Sequence, residues 1–186
     1  MIRLFFALFP DPATAARIER RAAGTRDRAR LRARPLPAER LHVTLYHIDD
    51  YTSEPPPELV ESLRRAAADV SFRPFEVAFD RVLSFGRATG TGRPRANPFV
   101  LTSGDQPALQ AFRRTLGEAM VLAAPTIRPG SSFTPHVTLF YETSVIAERP
   151  VAPAIGWTVQ DFALVKSFVG ESRYQILGRW PARPTA

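Results

Sequence analysis

At 186 residues, with 45% apolar and 23% charged side chains, the chain can bury one sizeable core and has the composition of a folded domain, not of a disordered or fibrous one. It contains no cysteine, which excludes disulfides, thiolate metal sites and a cysteine nucleophile. Its net charge is +7, and residues 17 to 40, with nine arginines against Glu19, Asp27 and Glu39, carry +6 of it, as either a solvated surface or a contact for a polyanion.

Residues 2 to 9 are apolar apart from Arg3, far too short to span a membrane and without a charged leader or cleavage site. They read as a core strand, and a cytoplasmic protein with no membrane attachment is the expectation. Asp11-Pro12 supplies a cap and a first-turn proline, and Gly24 a stop, so a helix is predicted over 12 to 23. The Arg-rich stretch 25 to 35 reads as an exposed loop and 41 to 48 as a strand. Glu58 to Val70 has helical spacing in Leu59, Val60, Leu63 and Ala67. Phe75 to Phe85 alternates as a strand, 86 to 97 is a Gly-rich loop or hairpin tip, and 99 to 102 is a short strand. Asp105 can cap a helix running to about 122. Strands then follow at 133 to 141, 157 to 169 and 174 to 180. Strands outnumber helices and neighbours are hairpin-like, so the class is α+β with largely antiparallel sheets.

The tetrapeptide His-Val-Thr-Leu occurs at 42 to 45 and again at 136 to 139, using two of the chain's three histidines. On a strand, Leu41, Val43 and Leu45 face one way while His42, Thr44 and Tyr46 face the other. In the second copy, Val137 and Leu139 oppose His136, Thr138 and Phe140. Two such faces opposed across a cleft bring two imidazoles and two hydroxyls together. That set suits a phosphate ester: the threonines hold non-bridging oxygens, and one imidazole gives a proton while the other takes one. A lone histidine on a strand is usually a satisfied or half-exposed residue; an identical pair on a polar face argues for a site. His42 and His47 are five apart, hence on opposite strand faces, and no cluster has zinc-like spacing. Asp49-Asp50 reads as a turn pair.

The paired motifs resemble those of the 2H phosphoesterase superfamily. The opening Arg3 to Pro10, the segments 41 to 45 and 133 to 139, and the closing Tyr174 to Pro181 narrow the resemblance to the RNA 2',3'-cyclic phosphodiesterases, long called 2'-5' RNA ligases. The resemblance implies a bilobal α+β fold: two largely antiparallel sheets with outer helices around a central groove, one catalytic domain over 1 to 186 with pseudo-symmetric lobes. It implies metal- and cofactor-independent opening of a 2',3'-cyclic phosphate at an RNA end to a 2'-phosphate, or the reverse ligation. His42 would be the general acid, His136 the general base, and Thr44 and Thr138 the phosphate holders. The partner would be RNA with a cyclic phosphate end, and a monomer is the default expectation.

Members of that family often have a Phe-Leu-Gly-like turn after the first motif, where this chain has Tyr46 to Asp50. Many have an arginine soon after the second, where this chain has Phe140-Tyr141-Glu142. Arg40, Arg87 or Arg128 is a candidate substitute for that phosphate contact. Phe140 is a candidate for base stacking, with core packing favoured about two to one. Two other readings stand beside this one. The first is an RNA-end-binding protein without turnover. The second is a 2H enzyme for another cyclic phosphate, such as ADP-ribose 1'',2''-cyclic phosphate, or for a 2'-5' oligonucleotide.

Overall fold

The computed structural model describes residues 1–86, 96–124 and 132–183. Among these residues eight strands and three α-helices follow one another as β1 (Ile2–Leu8), α1 (Pro12–Arg28), β2 (Val43–Tyr51), α2 (Pro57–Asp69), β3 (Phe75–Ser84), β4 (Asn97–Thr102), α3 (Pro107–Ala123), β5 (His136–Glu142), β6 (Arg149–Val159), β7 (Asp161–Phe168) and β8 (Arg173–Pro181). A short 3-10 turn, Ala38–Arg40, precedes β2.

All strands join one antiparallel sheet in the order β6-β3-β4-β5-β2-β1-β7-β8, which replaces the two sheets expected from sequence. Its middle is thin, because β2 and β5 are paired only at Val43 and Val137. Two four-stranded halves therefore meet at a seam. The strand expected over 157 to 169 is two strands: β6 pairs with β3 in one half and β7 with β1 in the other, with Gln160 alone between them. One residue spans only about 7 Å between its neighbours' Cα atoms, so the sheet bends enough to bring strands six places apart in its order together at that corner.

The helices pack on one face. Ile18 and Ala22 of α1, Leu63 and Ala67 of α2, and Leu109, Phe112, Leu116 and Met120 of α3 share a single core with Leu4, Phe6, Leu8, Val43, Val137, Phe162 and Leu164. Phe162 lies at its centre, within 5.2 Å of the Phe112 ring and 5.3 Å of the Trp180 ring. Each fully buried side chain of this size contributes about 1.5–3 kcal/mol. The opposite face carries a much smaller cluster of Phe5, Ala7, Ala163 and Val165, flanked by Phe9 and Tyr174.

Helix α1 begins as the sequence reads, with the Asp11 carboxylate accepting from the Thr14 amide, but runs past Gly24. Gly24 holds an ordinary helical position. The chain turns instead at Arg30, in the left-handed region at φ 51°, with the Arg30 amide donating to the Asp27 carbonyl and the Leu31 amide to the Arg26 carbonyl. Asp105 caps nothing; its carboxylate accepts from Gln110, and α3 has no side-chain cap. Asp49 and Asp50 lie within β2, not in a turn.

Both motif strands carry a bulge at the same place. Partners skip Leu45 between the pairs Phe6–Tyr46 and Ala7–Thr44, and skip Leu139 between Phe99–Phe140 and Val100–Thr138. A bulge takes a carbonyl out of the ladder, and each of these is satisfied from outside the sheet. Arg113 of α3 donates its Nε–H to the Leu45 carbonyl at 3.0 Å, and the Leu36 amide donates to the Leu139 carbonyl at 2.7 Å. The Arg113 guanidinium also lies 4.2 Å from the Tyr46 ring centroid, and the Tyr46 hydroxyl donates back to the Arg113 carbonyl at 2.9 Å. Arg113→Met strips that donor from a part-buried carbonyl. It is expected to lower unfolding free energy by about 1–3 kcal/mol, read as a reduced urea midpoint. An unchanged midpoint would show that the bulge does not depend on it.

Candidate active site in the groove

The single β2–β5 pair sets the site. Val43 and Val137 are paired and fully buried in the core, so the residues on either side of each point to the other face. Antiparallel register then places His42 abreast of Thr138 and Thr44 abreast of His136. The two imidazoles and two hydroxyls occupy alternate corners of one patch, on the face away from the helices. All four side chains are half-buried. Neither threonine hydroxyl bonds a protein group among the described residues.

Both rings are held in the same tautomer by the same device. His42 Nδ1 lies 2.8 Å from the Arg40 carbonyl, and His136 Nδ1 lies 2.8 Å from the Thr134 carbonyl. A carbonyl only accepts, so Nδ1 donates in each case and Nε2 is left to the groove. Each neutral ring thus presents a basic nitrogen, and each protonated ring an acidic N–H, at the same position.

Aromatic side chains fix the rings further. His42 stacks on Phe5 at 5.0 Å and 28°, has Phe9 at 5.9 Å, and meets the edge of Tyr174 at 5.6 Å. His136 meets Phe85 at 4.9 Å. The strand neighbour of His136, Thr102, anchors its approach by donating to the Pro135 carbonyl at 2.7 Å. This environment makes protonation costly. Burial pushes His42 down from 6.5 to about 4, aided by the nearby charges of His136 and Arg40 and opposed by the carbonyl bond. Burial also lowers His136, against the opposing effect of the Thr134 carbonyl.

The bulges correct three sequence readings. Beyond each bulge the alternation inverts, so Leu45 and Tyr46 both enter the core, as do Leu139 and Phe140. Phe140 is fully buried and stacked on Phe99 at 4.7 Å, so it packs the core and offers no face to a substrate. His47, paired with Phe5, comes onto the same face as His42 instead of the opposite one. Tyr141, paired with Pro98 and half exposed, takes the equivalent place after the second motif. His47 Nε2 lies 3.0 Å from Asp50, whose carboxylate also accepts two hydrogen bonds from Arg3 at 2.7 Å each. Arg3 holds Asp50 well below the usual carboxylate range.

Of the three candidate arginines, Arg40 lies beside His42, with its guanidinium 4.6 Å from the Tyr174 ring centroid. Arg87 and Arg128 lie outside the described residues. Sequence reasoning does not single out Phe5, Phe9, Phe85 and Tyr174 as site residues. The period-two row Arg3, Phe5, Ala7, Phe9 carries a signal for two of them; Tyr174 reaches the site from β8, and nothing local announces it. Among the described residues no three His, Asp or Glu side chains converge as a metal site. Among the described residues no helix is long and apolar enough to cross a membrane.

A bent antiparallel sheet with helices on one face and two matched His-x-Thr strands at its centre invites comparison with known proteins. The sequence matches the 2'-5' RNA ligase superfamily over residues 9–170. The chain belongs to that superfamily. No curated protein sequence matches it. Among solved structures it is similar to E. coli LigT complexed with 3'-AMP, with a TM-score of 0.72 at 23% identity over 97% of both chains. It is also similar to TT0787 of Thermus thermophilus, with a TM-score of 0.72 at 24% identity over 97% of this chain and 98% of that one. Superfamily membership agrees with the resemblance read from the paired motifs and the two chain ends, and the likeness to LigT extends the shared fold over nearly the full length.

Proposed function

We propose that the protein opens 2',3'-cyclic phosphates at RNA ends, leaving a 2'-phosphate, by metal-independent acid-base catalysis in one catalytic domain. The observation that supports this reading is the pair of locked tautomers, which leaves Nε2 of both rings available for proton transfer on strands whose register sets each histidine abreast of the other motif's threonine. The cyclic phosphorus sits between the rings. His136 Nε2 takes a proton from water as its oxygen bonds to phosphorus. The bond to the 3' oxygen breaks, and His42 Nε2–H delivers a proton to that oxygen. Thr44 and Thr138 donate to the non-bridging oxygens. The same step with a 5'-hydroxyl attacking phosphorus in place of water, and the 3' oxygen leaving, gives the 2'-5' linkage of the superfamily's name; its microscopic reversal cleaves that linkage back to the cyclic phosphate.

The arginine-rich segment supplies the polynucleotide contact. Arg17, Arg20, Arg28, Arg30, Arg32 and Arg34 are all exposed, along α1 and the chain that leads to the 3-10 turn before His42. Phosphate contacts by such groups release counterions, so kcat/KM on an RNA end is expected to fall with salt more steeply than on a cyclic mononucleotide. Equal slopes would reduce the segment to a solvated surface. Substrate class is tested by comparing kcat/KM for a cyclic-ended RNA, ADP-ribose 1'',2''-cyclic phosphate and a 2'-5' oligoadenylate. The RNA end is expected to lead by at least about tenfold. Leadership by either of the others would replace this substrate assignment. Tight binding of all three without turnover would leave an RNA-end-binding protein.

A further inference from the structure

Resting on the reading of the groove as a phosphate-ester site, we propose that Arg113 is a positioning residue. It clamps the two motif strands where they part, and so sets the distance from His42 and Thr44 to His136 and Thr138.

The two halves need such a device. β2 and β5 are paired at Val43 and Val137 alone. In that register Tyr46 would oppose Thr134 and His47 would oppose Phe133, but β5 begins only at His136, so the strands have separated there. The guanidinium of Arg113 lies at this fork, 4.2 Å from the Tyr46 ring centroid and 4.5 Å from that of Phe133. Both distances fall within the roughly 6 Å over which an aromatic face attracts a cation. One planar group from α3 thus holds a ring from each half. Its half-buried position, away from bulk water, strengthens both contacts.

These contacts sit one residue away from the reacting groups. Arg113 Nε–H donates to the carbonyl of Leu45, which follows Thr44. Phe133 precedes Thr134, whose carbonyl holds His136 Nδ1 at 2.8 Å. A single strand pair leaves the two motifs free to swing about it, and a guanidinium held on both rings removes that freedom.

Arg113 is in turn seated by Tyr46. The Tyr46 hydroxyl donates to the Arg113 carbonyl at 2.9 Å. Gly117, one turn further along α3, leaves the space that this ring fills, since a Cβ there would collide with the Tyr46 hydroxyl. A lysine at 113 would keep the charge but lose the flat fork that donates to Leu45 while facing two rings.

The test measures inorganic phosphate affinity by calorimetry and kcat on adenosine 2',3'-cyclic phosphate, below the melting transition of every protein compared. The variants are Arg113→Met, Phe133→Leu and the two together. Leu63→Ala, at a fully buried position of α2, is the control for lost stability alone. Arg113→Met and Phe133→Leu are each expected to weaken phosphate binding at least about fivefold and to lower kcat at least about thirtyfold, because one phosphorus must meet groups on both strands. The double variant should fall no more than about twofold below the worse single one, since either change opens the same clamp. Leu63→Ala should stay within about twofold of wild type in both readings. Phosphate affinity within about twofold of wild type in folded Arg113→Met, or an equal fall in Leu63→Ala, would overturn the clamp. Phosphate binding needs no turnover, so a wild type that binds phosphate but opens no cyclic phosphate would count against the proposed reaction and leave the clamp to be read from affinity.

Discussion

Replacing either His42 or His136 with alanine is expected to lower kcat on a 2',3'-cyclic phosphate by roughly 10² to 10⁴. Each ring is tied to its own strand through an equivalent 2.8 Å bond from Nδ1, so neither can stand in for the other without leaving its own carbonyl. The double variant should lose little more than the worse single one, because a proton relay missing one member has already failed. His42 is packed against Phe5, so its removal also costs packing. His42→Gln fills more of the space, and a melting curve taken beside each assay separates a loss of fold from a loss of chemistry. Activity within about threefold of wild type in either folded alanine variant would remove that histidine from the mechanism.

The second large effect is an acid-shifted pH profile. Acid-base catalysis by this pair needs one proton shared between two imidazoles. Burial pushes His42 down to about 4 and also holds His136 below its ordinary 6.5. At pH below His42's value both rings are charged and no base remains. Above His136's value both are neutral and no acid remains. The productive state is therefore most populated between the two, whichever ring holds the proton. On the alkaline side kcat/KM for a cyclic mononucleotide should fall by about tenfold per pH unit. A bound phosphate anion favours the charged imidazole, so the kcat profile should lie at higher pH than that of kcat/KM. A kcat/KM maximum at about pH 8 or above would contradict the buried, depressed pair.

The sequence carries the site's chemistry and loses its geometry at two residues. The repeated His-Val-Thr-Leu, read with period two, places His42, Thr44, His136 and Thr138 on the face opposite Val43 and Val137, and that is where they lie. The same period fails one step later at Leu45 and Leu139, sending Phe140 into the core and bringing His47 and Tyr141 onto the groove face. The cause is nonlocal. Arg113 lies 68 residues from Leu45, and Leu36 lies about a hundred from Leu139 in the chain, so no local pattern encodes either carbonyl's partner. The same limit explains the single sheet. A one-residue corner at Gln160 is indistinguishable in sequence from the middle of a long strand, yet it carries the chain from one edge of the sheet to the other half. Gly24 shows the converse error: a residue that favours helix ends does not impose one, and here the helix continues to a Schellman turn at Arg30. Tyr174 meets His42 only when β8 docks beside β7, which is beyond the reach of the sequence.

The central claim is that two imidazoles, without a metal, open a cyclic phosphate to a 2'-phosphate. The most direct measurement incubates the purified protein, in excess EDTA, with a short RNA ending in a 2',3'-cyclic phosphate. The product end is then mapped with enzymes that distinguish 2'- from 3'-phosphates. The proposed function predicts a 2'-phosphate as the sole new end, formed by wild type at an undiminished rate in EDTA and lost in both histidine variants. A 3'-phosphate product would place the leaving oxygen wrongly, and activity abolished by EDTA and restored by a divalent cation would contradict catalysis by the paired histidines alone.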